Sequence, residues 1–365
     1  MTDLKTFNAI SLFSGLGGDS LGMTQAGCTI IAYNELKPTF CSSHNANMPH
    51  SELICDGKVN DISKLKDECF VKYAGKTDIV FAGFPCQGFS TAGKKKDDDP
   101  RNTMFLEFLR VTKLTQPTMI IGENVKGLLT KKASNGEMYI DIIVSEFDKI
   151  GYNVIHKVFK CEEYNVPQKR ERLIILGIKK ENPYNWTLGF PAPSSVKPNL
   201  KAIIKYDMTG TIKVNNDWFQ DIPNDCILTD MTDNTEYKEN NGAHPYLLSK
   251  INADETMRTY TGKTHEYLFS FAKRGSPIHC EIIDIRKPAK TIICTYEHQP
   301  RLFVPIRNHS GCYLRMLLPD ELKQIQGFPA DYIVCGTNKE KIIQIGNAVP
   351  PPLIKAIVEH VIKNK

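Results

Sequence analysis

Short apolar runs alternate with amphipathic stretches over the first half of the chain. The runs AISLF (9–13), TIIAYN (29–34), TDIVFAGF (77–84), TMIIGEN (118–124), YNVIHKVF (152–159) and RLIILGI (172–178) are rich in β-branched and aromatic residues, as strands are. Between them, MFLEFLRVTKLT (104–115) and YIDIIVSEFDKI (139–150) space their apolar positions with the period of a helix. Strands alternating with helices predict an α/β fold, a doubly wound and mostly parallel sheet with helices on both faces. Ligands then bind at the carboxyl ends of its strands. From about residue 185 the texture changes. Prolines and asparagines rise, helical periodicity fades, and acidic residues cluster at Asp217, Asp221, Asp225, Asp230, Asp233, Glu236 and Glu239. This predicts a second, smaller and irregular domain. LLPDELKQIQGFP reads as a helix with a proline-marked exit, and PPPLIKAIVEHVI as an amphipathic helix returning to the first domain. The expected division is 1–184 plus 337–365 for one domain and 185–336 for the other.

Composition narrows the picture. A chain of 365 residues can bury two cores, and its formal charge of +5 permits a polyanionic partner without requiring one. Eleven cysteines with no CxxC pair, and no apolar leader ahead of AISLF, point to free thiols in a reducing intracellular compartment rather than disulfides or a zinc site. No run approaches the roughly 20 apolar residues of a membrane span.

Six segments carry candidate chemistry. ISLFSGLGGDSLG runs strand, glycine turn, helix, with Gly15, Gly17 and Gly18 at the turn; it either cradles a ligand or is an ordinary strand-to-helix turn, and it departs from GxGxxG. Glu35, at the end of TIIAYN, can accept both hydroxyls of a ribose, which suits an adenosine cofactor. Asp61 and Ile62 in NDIS are an adenine-contacting pair or a helix cap and its neighbour. GFPCQGFS sets Cys86 just beyond a strand, as a nucleophile or as buried filler. IIGENVKG puts Glu123 and Asn124 at the same edge, toward a ligand or capping a turn. VPQKRERLIIL places Gln168, Arg170 and Arg172 before a strand, where period-two spacing sends both arginines to one face, toward a site or into a solvated ladder. A thiol, a carboxyl group and an arginine at converging strand ends fit nucleophilic addition to a pyrimidine. The thiolate adds to carbon 6, a protonated carboxyl serves nitrogen 3, and the arginine faces the carbonyl oxygen; carbon 5 then takes a methyl group.

The segments FSGLGG, GFPCQGFS, ENVKG, QKRERL, QGFP and IGNAVP, in this order, resemble the DNA (cytosine-5)-methyltransferase family of restriction-modification and related enzymes. The resemblance spans about residues 9–180 and 313–360. It implies a Rossmann-like methyltransferase fold whose variable segment selects the DNA sequence. It also implies that Cys86 is the covalent nucleophile, Glu123 the nitrogen-3 partner and Arg172 the group near the base oxygen, with Arg170 and Gln168 in support. By the same resemblance, Phe13, Gly15, Gly17, Glu35, Leu36, Asp61, Ile62, Pro85, Met104, Asn347 and Val349 line a pocket for S-adenosyl-L-methionine, which leaves as S-adenosyl-L-homocysteine. Leu36 stands where several relatives carry an aromatic; Asp19 replaces a common apolar residue and reads as a dipole-favoured helix cap. STAGKKKDDDPRNT is either a solvated connection or a loop closing over DNA, with Ser90 and Lys94 at the backbone around an extruded base. Arg258, Lys273 and Arg274 are candidates for DNA contact, interleaved with aromatics that equally suit a core. The expected partners are duplex DNA and a separately acting restriction endonuclease, with no membrane and a monomeric chain. Two alternatives remain open here. One is a tRNA cytosine-5 methyltransferase, whose nucleophile motif begins with two prolines where this chain has Gly83, Phe84 and Pro85. The other is a non-catalytic DNA-binding relative, against which Cys86, Glu123 and Arg172 count.

Overall fold

The apolar runs of the first half become the strands β1 (Phe7–Leu12), β2 (Cys28–Asn34), β3 (Glu52–Leu53), β4 (Ile79–Ala82), β5 (Met119–Asn124) and β6 (Tyr152–Lys160), followed by β7 (Gln168–Lys169) and β8 (Glu171–Lys179). The computed structural model of the protein describes residues 6–85, 104–133, 135–214, 216–220, 222–235, 268–270, 279–297 and 300–363. All these strands except β7 form a seven-stranded sheet in the order β3-β2-β1-β4-β5-β8-β6. Strands β1 to β5 pair in parallel, as expected. The inverted member is β8, antiparallel to both β5 and β6. The connection from β6 to β8, residues 161–170, is shorter than the dozen or so residues a parallel crossover requires, so the chain must fold back. As a result, the amino end of β8 lies at the carboxyl edge of the parallel strands, where Asn124 faces Leu173.

Helices α1 (Gly18–Gln25), α2 (Pro38–Asn47), α3 (Glu68–Val71), α4 (Met104–Thr115) and α5 (Tyr139–Lys149) belong to the first half, and α6 (Pro319–Ile325), α7 (Asn338–Asn347) and α8 (Pro351–Lys363) to the end of the chain. Side-chain alternation splits the sheet between two cores. Ala9, Phe81 and Ile121 pack with Ile357 and Val358 of α8, while Ile10, Val80 and Ile120 pack with Phe108 of α4 and Phe147 of α5. Helix α1 lies backbone to backbone on the last segment. A Cβ at Gly18 would stand 2.0 Å from the Val349 carbonyl oxygen, and one at Gly22 would stand 2.6 Å from that of Pro351. No described helix is long and apolar enough to cross a membrane.

The later part contributes β9 (Ile212–Val214), β10 (Leu228–Asp230), β11 (Leu268–Ser270), β12 (His279–Ile282), β13 (Ala289–Lys290), β14 (Leu302–Asn308) and β15 (Gly311–Met316). All but β13 build a six-stranded mixed sheet around the β14–β15 pair, and β13 instead pairs with β7. Short strands with long connections explain the irregular texture of this sequence. Two of its acidic residues shape turns, Asp230 accepting from the Thr232 N–H at 2.9 Å and Asp233 from that of Thr235 at 2.8 Å. One apolar cluster runs from Leu16 through Leu322 of α6 and Ile345 of α7 to Phe303 and Leu314.

Inside this cluster Arg315, 1 % exposed, donates to Glu321 at 2.7 and 2.8 Å and to the carbonyls of Lys205 and Asp207. Removing one partner of a buried pair strands the other without water. Arg315→Met is therefore expected to cost about 3–5 kcal/mol, read as a lowered urea midpoint. A midpoint within experimental error of the parent would contradict the burial of this pair.

Candidate active site

At the carboxyl edge of the sheet, the inversion of β8 sets Arg172 beside Glu123, the penultimate residue of β5. Arg172 Nε lies 2.8 Å from Glu123 Oε1, with side-chain exposures of 15 % and 12 %. Partial withdrawal from water strengthens such a pair relative to a surface one. The next residue, Asn124, is buried; its Nδ2 donates to the Phe84 carbonyl at 3.3 Å and its Oδ1 accepts from the Val125 N–H at 2.8 Å. On the other side, the Gly83 N–H donates to the Leu12 carbonyl at 3.3 Å. The segment leaving β4 is thus fastened to both neighbouring strands and led out past Glu123 as far as Pro85. Cys86, Ser90, Lys94, Arg258, Lys273 and Arg274 lie outside the described residues.

Arg170 and Arg172 part company despite their spacing. Arg170 precedes β8 and so escapes its pleat; buried at 1 % exposure, it donates to the carbonyls of Ile292 (3.3 Å), Gly346 (3.0 Å) and Ala348 (3.4 Å). Burial, and then the Arg172 charge, pushes its guanidinium down to about 9. Gln168 is fully buried, donating to Gln326 Oε1 at 2.6 Å and accepting from the Ile292 N–H at 3.0 Å. These two side chains knit together the QKRERL, KPAKTII, QGFP and IGNAVP segments, and only Arg172 reaches Glu123.

Beyond β1 the chain turns through positive φ at Phe13 (55°), Gly15 (56°) and Gly17 (86°), with Gly17 as the N-cap of α1. Glu35, directly after β2, accepts the Gly15 N–H on Oε2 and the Lys37 N–H on Oε1, both at 2.9 Å. Burial raises its carboxyl above the usual range. The carboxylate is thereby tethered to the glycine turn, and each oxygen keeps a second lone pair. Asn34 bonds the carbonyls of Ile54 and Asn60, which brings the following residues to the same edge. There Asp61 caps a short 3₁₀ turn, accepting the Ser63 N–H at 3.2 Å and the Ser63 hydroxyl at 2.7 Å, and Ile62 is buried. Of the two sequence readings of Asp61, the cap is the arrangement present. Val349 is buried against Gly18 and Gly83, Asn347 and Leu36 are exposed, and Met104, which opens α4, and Pro85 are half-buried.

Asp19 corrects an expectation. It lies in the first turn of α1 but is fully buried, and Ser11 Oγ donates to it at 2.5 Å. Desolvation outweighs its hydrogen bonds and pushes its carboxyl from 3.8 up to about 7. A raised folded-state value means that the folded chain keeps a proton the unfolded chain releases. The contribution is whole below 3.8 and is lost as pH rises toward 7, at a limiting slope of about 1.4 kcal/mol per pH unit. Stability measured from pH 5 to 7.5 is expected to fall for the parent relative to Asp19→Asn, which has no proton to lose. Parallel curves would show Asp19 to be ionised throughout.

The anchoring by Asn124 and the placements of Gln326, His44 and Tyr332 are not legible in the sequence. Gln326 lies within the QGFP segment, whereas His44, a lone histidine in an unpatterned stretch, carries no signal.

A seven-stranded mixed sheet with a glycine turn after its first strand, and an acid–guanidinium pair at its carboxyl edge, defines an α/β methyltransferase fold. A DNA modification methyltransferase encoded within an E. coli prophage shares it with a TM-score of 0.61 at 22 % identity, over 97 % of this chain and 98 % of that one. The Entamoeba histolytica methyltransferase EhMeth matches with a TM-score of 0.63 at 16 % identity, over 99 % of each chain. Residues 7–363 match the C-5 cytosine-specific DNA methylase family, and the chain belongs to that family of DNA (cytosine-5)-methyltransferases. The Type II methyltransferase M1.HphI of Haemophilus parahaemolyticus is 32 % identical over 363 residues, 97 % of this chain and 86 % of that protein. M.FnuDI of Fusobacterium nucleatum is 30 % identical over 355 residues, 96 % of this chain and 93 % of that protein.

Proposed function

We propose that the chain methylates carbon 5 of a cytosine rotated out of a specific duplex DNA sequence, through a covalent adduct with Cys86. One observation carries this reading: the Glu123–Arg172 pair stands at the end of β5, and Asn124 fastens to that same end the segment running into Cys86. The thiolate adds to carbon 6 and pushes electrons into the ring. Glu123 shares a proton with nitrogen 3 and Arg172 faces the carbonyl oxygen, so the charge that develops meets fixed partners. Carbon 5 becomes nucleophilic, and after methylation it gives up its proton as the Cys86 thiolate departs. A stacked base is out of reach of a thiolate, and its rotation costs a few kcal/mol; contacts from Ser90 and Lys94 to the backbone offset part of that.

The residues present fit an adenosine cofactor. A Cβ at Gly15 would meet nothing closer than the Phe13 carbonyl oxygen at 4.0 Å, which leaves room at the turn, and Glu35 is tethered alongside. Glu35 would hold the ribose hydroxyls, and Phe13, Leu36, Asp61, Ile62, Pro85, Met104, Asn347 and Val349 would complete the pocket. S-adenosyl-L-methionine, when bound, supplies an electrophilic methyl group and becomes S-adenosyl-L-homocysteine. Residues 185–336 form the target-recognition domain in this reading, with Arg258, Lys273 and Arg274 on the DNA. The Type II names of the relatives support a restriction endonuclease acting separately on the same sequence, and the nine cysteines whose side chains are described, each a free thiol, suit a reducing cell interior.

Methyl transfer from radiolabelled cofactor should favour duplex DNA over tRNA. A duplex carrying 5-fluorocytosine should trap the chain covalently, because the fluorine cannot leave as a proton does. Preference for tRNA would replace the substrate, and a missing adduct would remove the covalent mechanism.

A further inference from the structure

The glycine turn is braced from behind by two rings of the GFPADY stretch that follows α6. Phe328 and Tyr332 lie 4.7 Å apart, centroid to centroid. A Cβ at Gly18 would come within 3.0 Å of Phe328 Cζ, and one at Gly17 within 2.9 Å of Tyr332 Oη. The Tyr332 hydroxyl, on a side chain 5 % exposed, donates to the Leu16 carbonyl at 2.8 Å. The opposite flank is closed by His44, whose Cδ2 would also lie 2.9 Å from a Gly17 Cβ. This imidazole stacks on Tyr33 at 3.7 Å and meets the hydroxyls of Ser20 (3.1 Å) and Ser51 (3.4 Å).

Such a clamp acts on one peptide. Carbonyl and N–H of a planar peptide point in opposite directions, so holding the Leu16 carbonyl also aims the Gly17 N–H, which donates to Ser14 at 2.8 Å. Glycines at positions 15, 17 and 18 give this stretch wide conformational freedom, and its own bonds leave part of that freedom unspent. The Tyr332 hydroxyl removes it from outside.

We propose that Tyr332 is a positioning residue for the cofactor, its hydroxyl setting the Leu16–Gly17 peptide of the turn that receives S-adenosyl-L-methionine. The inference rests on the cofactor site assigned above. It also ties that site to the later sheet, because Leu16, Phe328 and Tyr332 share one apolar cluster with Phe303 and Leu314.

Tyr332→Phe in the full chain deletes only the hydroxyl. The Kd for S-adenosyl-L-homocysteine by calorimetry and the KM for S-adenosyl-L-methionine are expected to rise roughly five- to tenfold, the scale of one buried hydrogen bond. The kcat at saturating cofactor and the Kd for duplex DNA should change far less. An unaltered Kd beside a lowered Tm would make Tyr332 a structural residue only and overturn the proposal. If the parent chain bound no S-adenosyl-L-homocysteine, the cofactor site itself would fall; tight binding by both chains sinks this inference alone. Linkage supplies a test that needs no variant. Saturating S-adenosyl-L-homocysteine should slow amide exchange across residues 328–333 of the parent, and an unchanged rate there contradicts the coupling.

Discussion

Cys86→Ser is expected to lower methyl transfer at least about a thousandfold while duplex binding stays measurable. The two side chains differ by one atom, so shape is nearly preserved and the chemistry changes. A thiol ionises near neutrality and its anion is a soft nucleophile; a serine hydroxyl stays protonated there and needs a strong base to attack a ring carbon. Among the described residues near the end of β5 are Glu123, which donates a proton in the proposed reaction, and Arg172, which cannot accept one. Neither can serve as that base. The variant should also fail to form an adduct with a 5-fluorocytosine duplex. Turnover close to that of the parent chain would show that some other group attacks the base.

Glu123→Gln should cost about 2.7–4 kcal/mol of transition-state stabilisation, a fall of roughly a hundred- to a thousandfold in kcat. The amide keeps the length of the side chain, and its oxygen can still accept from Arg172 Nε, now at 2.8 Å from the carboxylate. Folding should therefore survive, and an unchanged Tm checks that it does. What the amide cannot do is pass a proton toward nitrogen 3 as the ring gains electrons. Single-turnover kinetics separate this from a binding defect, because the loss should appear in the chemical step. A near-native rate would mean that the ring is activated without a proton from this position.

Both variants fall on the part of the site that is legible in the sequence. Cys86, Glu123 and Arg172 could each be proposed from their places beside apolar runs, because a strand end followed by a polar residue is a local pattern. Glu123 and Asn124 were expected just past their strand and are its last two residues, an ordinary shift at a boundary. The carboxylate of Glu35 is expected from sequence to face ribose hydroxyls, and what the structure shows is its hold on the glycine turn through the Gly15 N–H, a contact that no local pattern conveys. Asp61 shows the limit of such reading, since Asp-Ile-Ser caps a turn whether or not a ligand lies near. Arg170 and Gln168 show it more sharply. Adjacent to Arg172 in a polar string, they are sunk into a seam with Ile292, Gln326 and Ala348, a placement no spacing rule conveys.

Alone, the order of amino acids determined where strands and helices form and which residues stand at their ends. Those outcomes depend on burial periodicity and turn chemistry within a few residues of each position. It also determined the family, since six segments in order survive any uncertainty about how they pack. Tertiary structure decided the rest. The short return from β6 inverted β8, and that inversion carried Arg172 from the far edge of a parallel strand to the side of Glu123. The same packing brought Tyr332 to the Leu16 carbonyl across 316 positions of chain. Hydrophobic patterning states which side of an element faces inward, whereas the partner it meets there depends on strand direction and on contacts between distant segments.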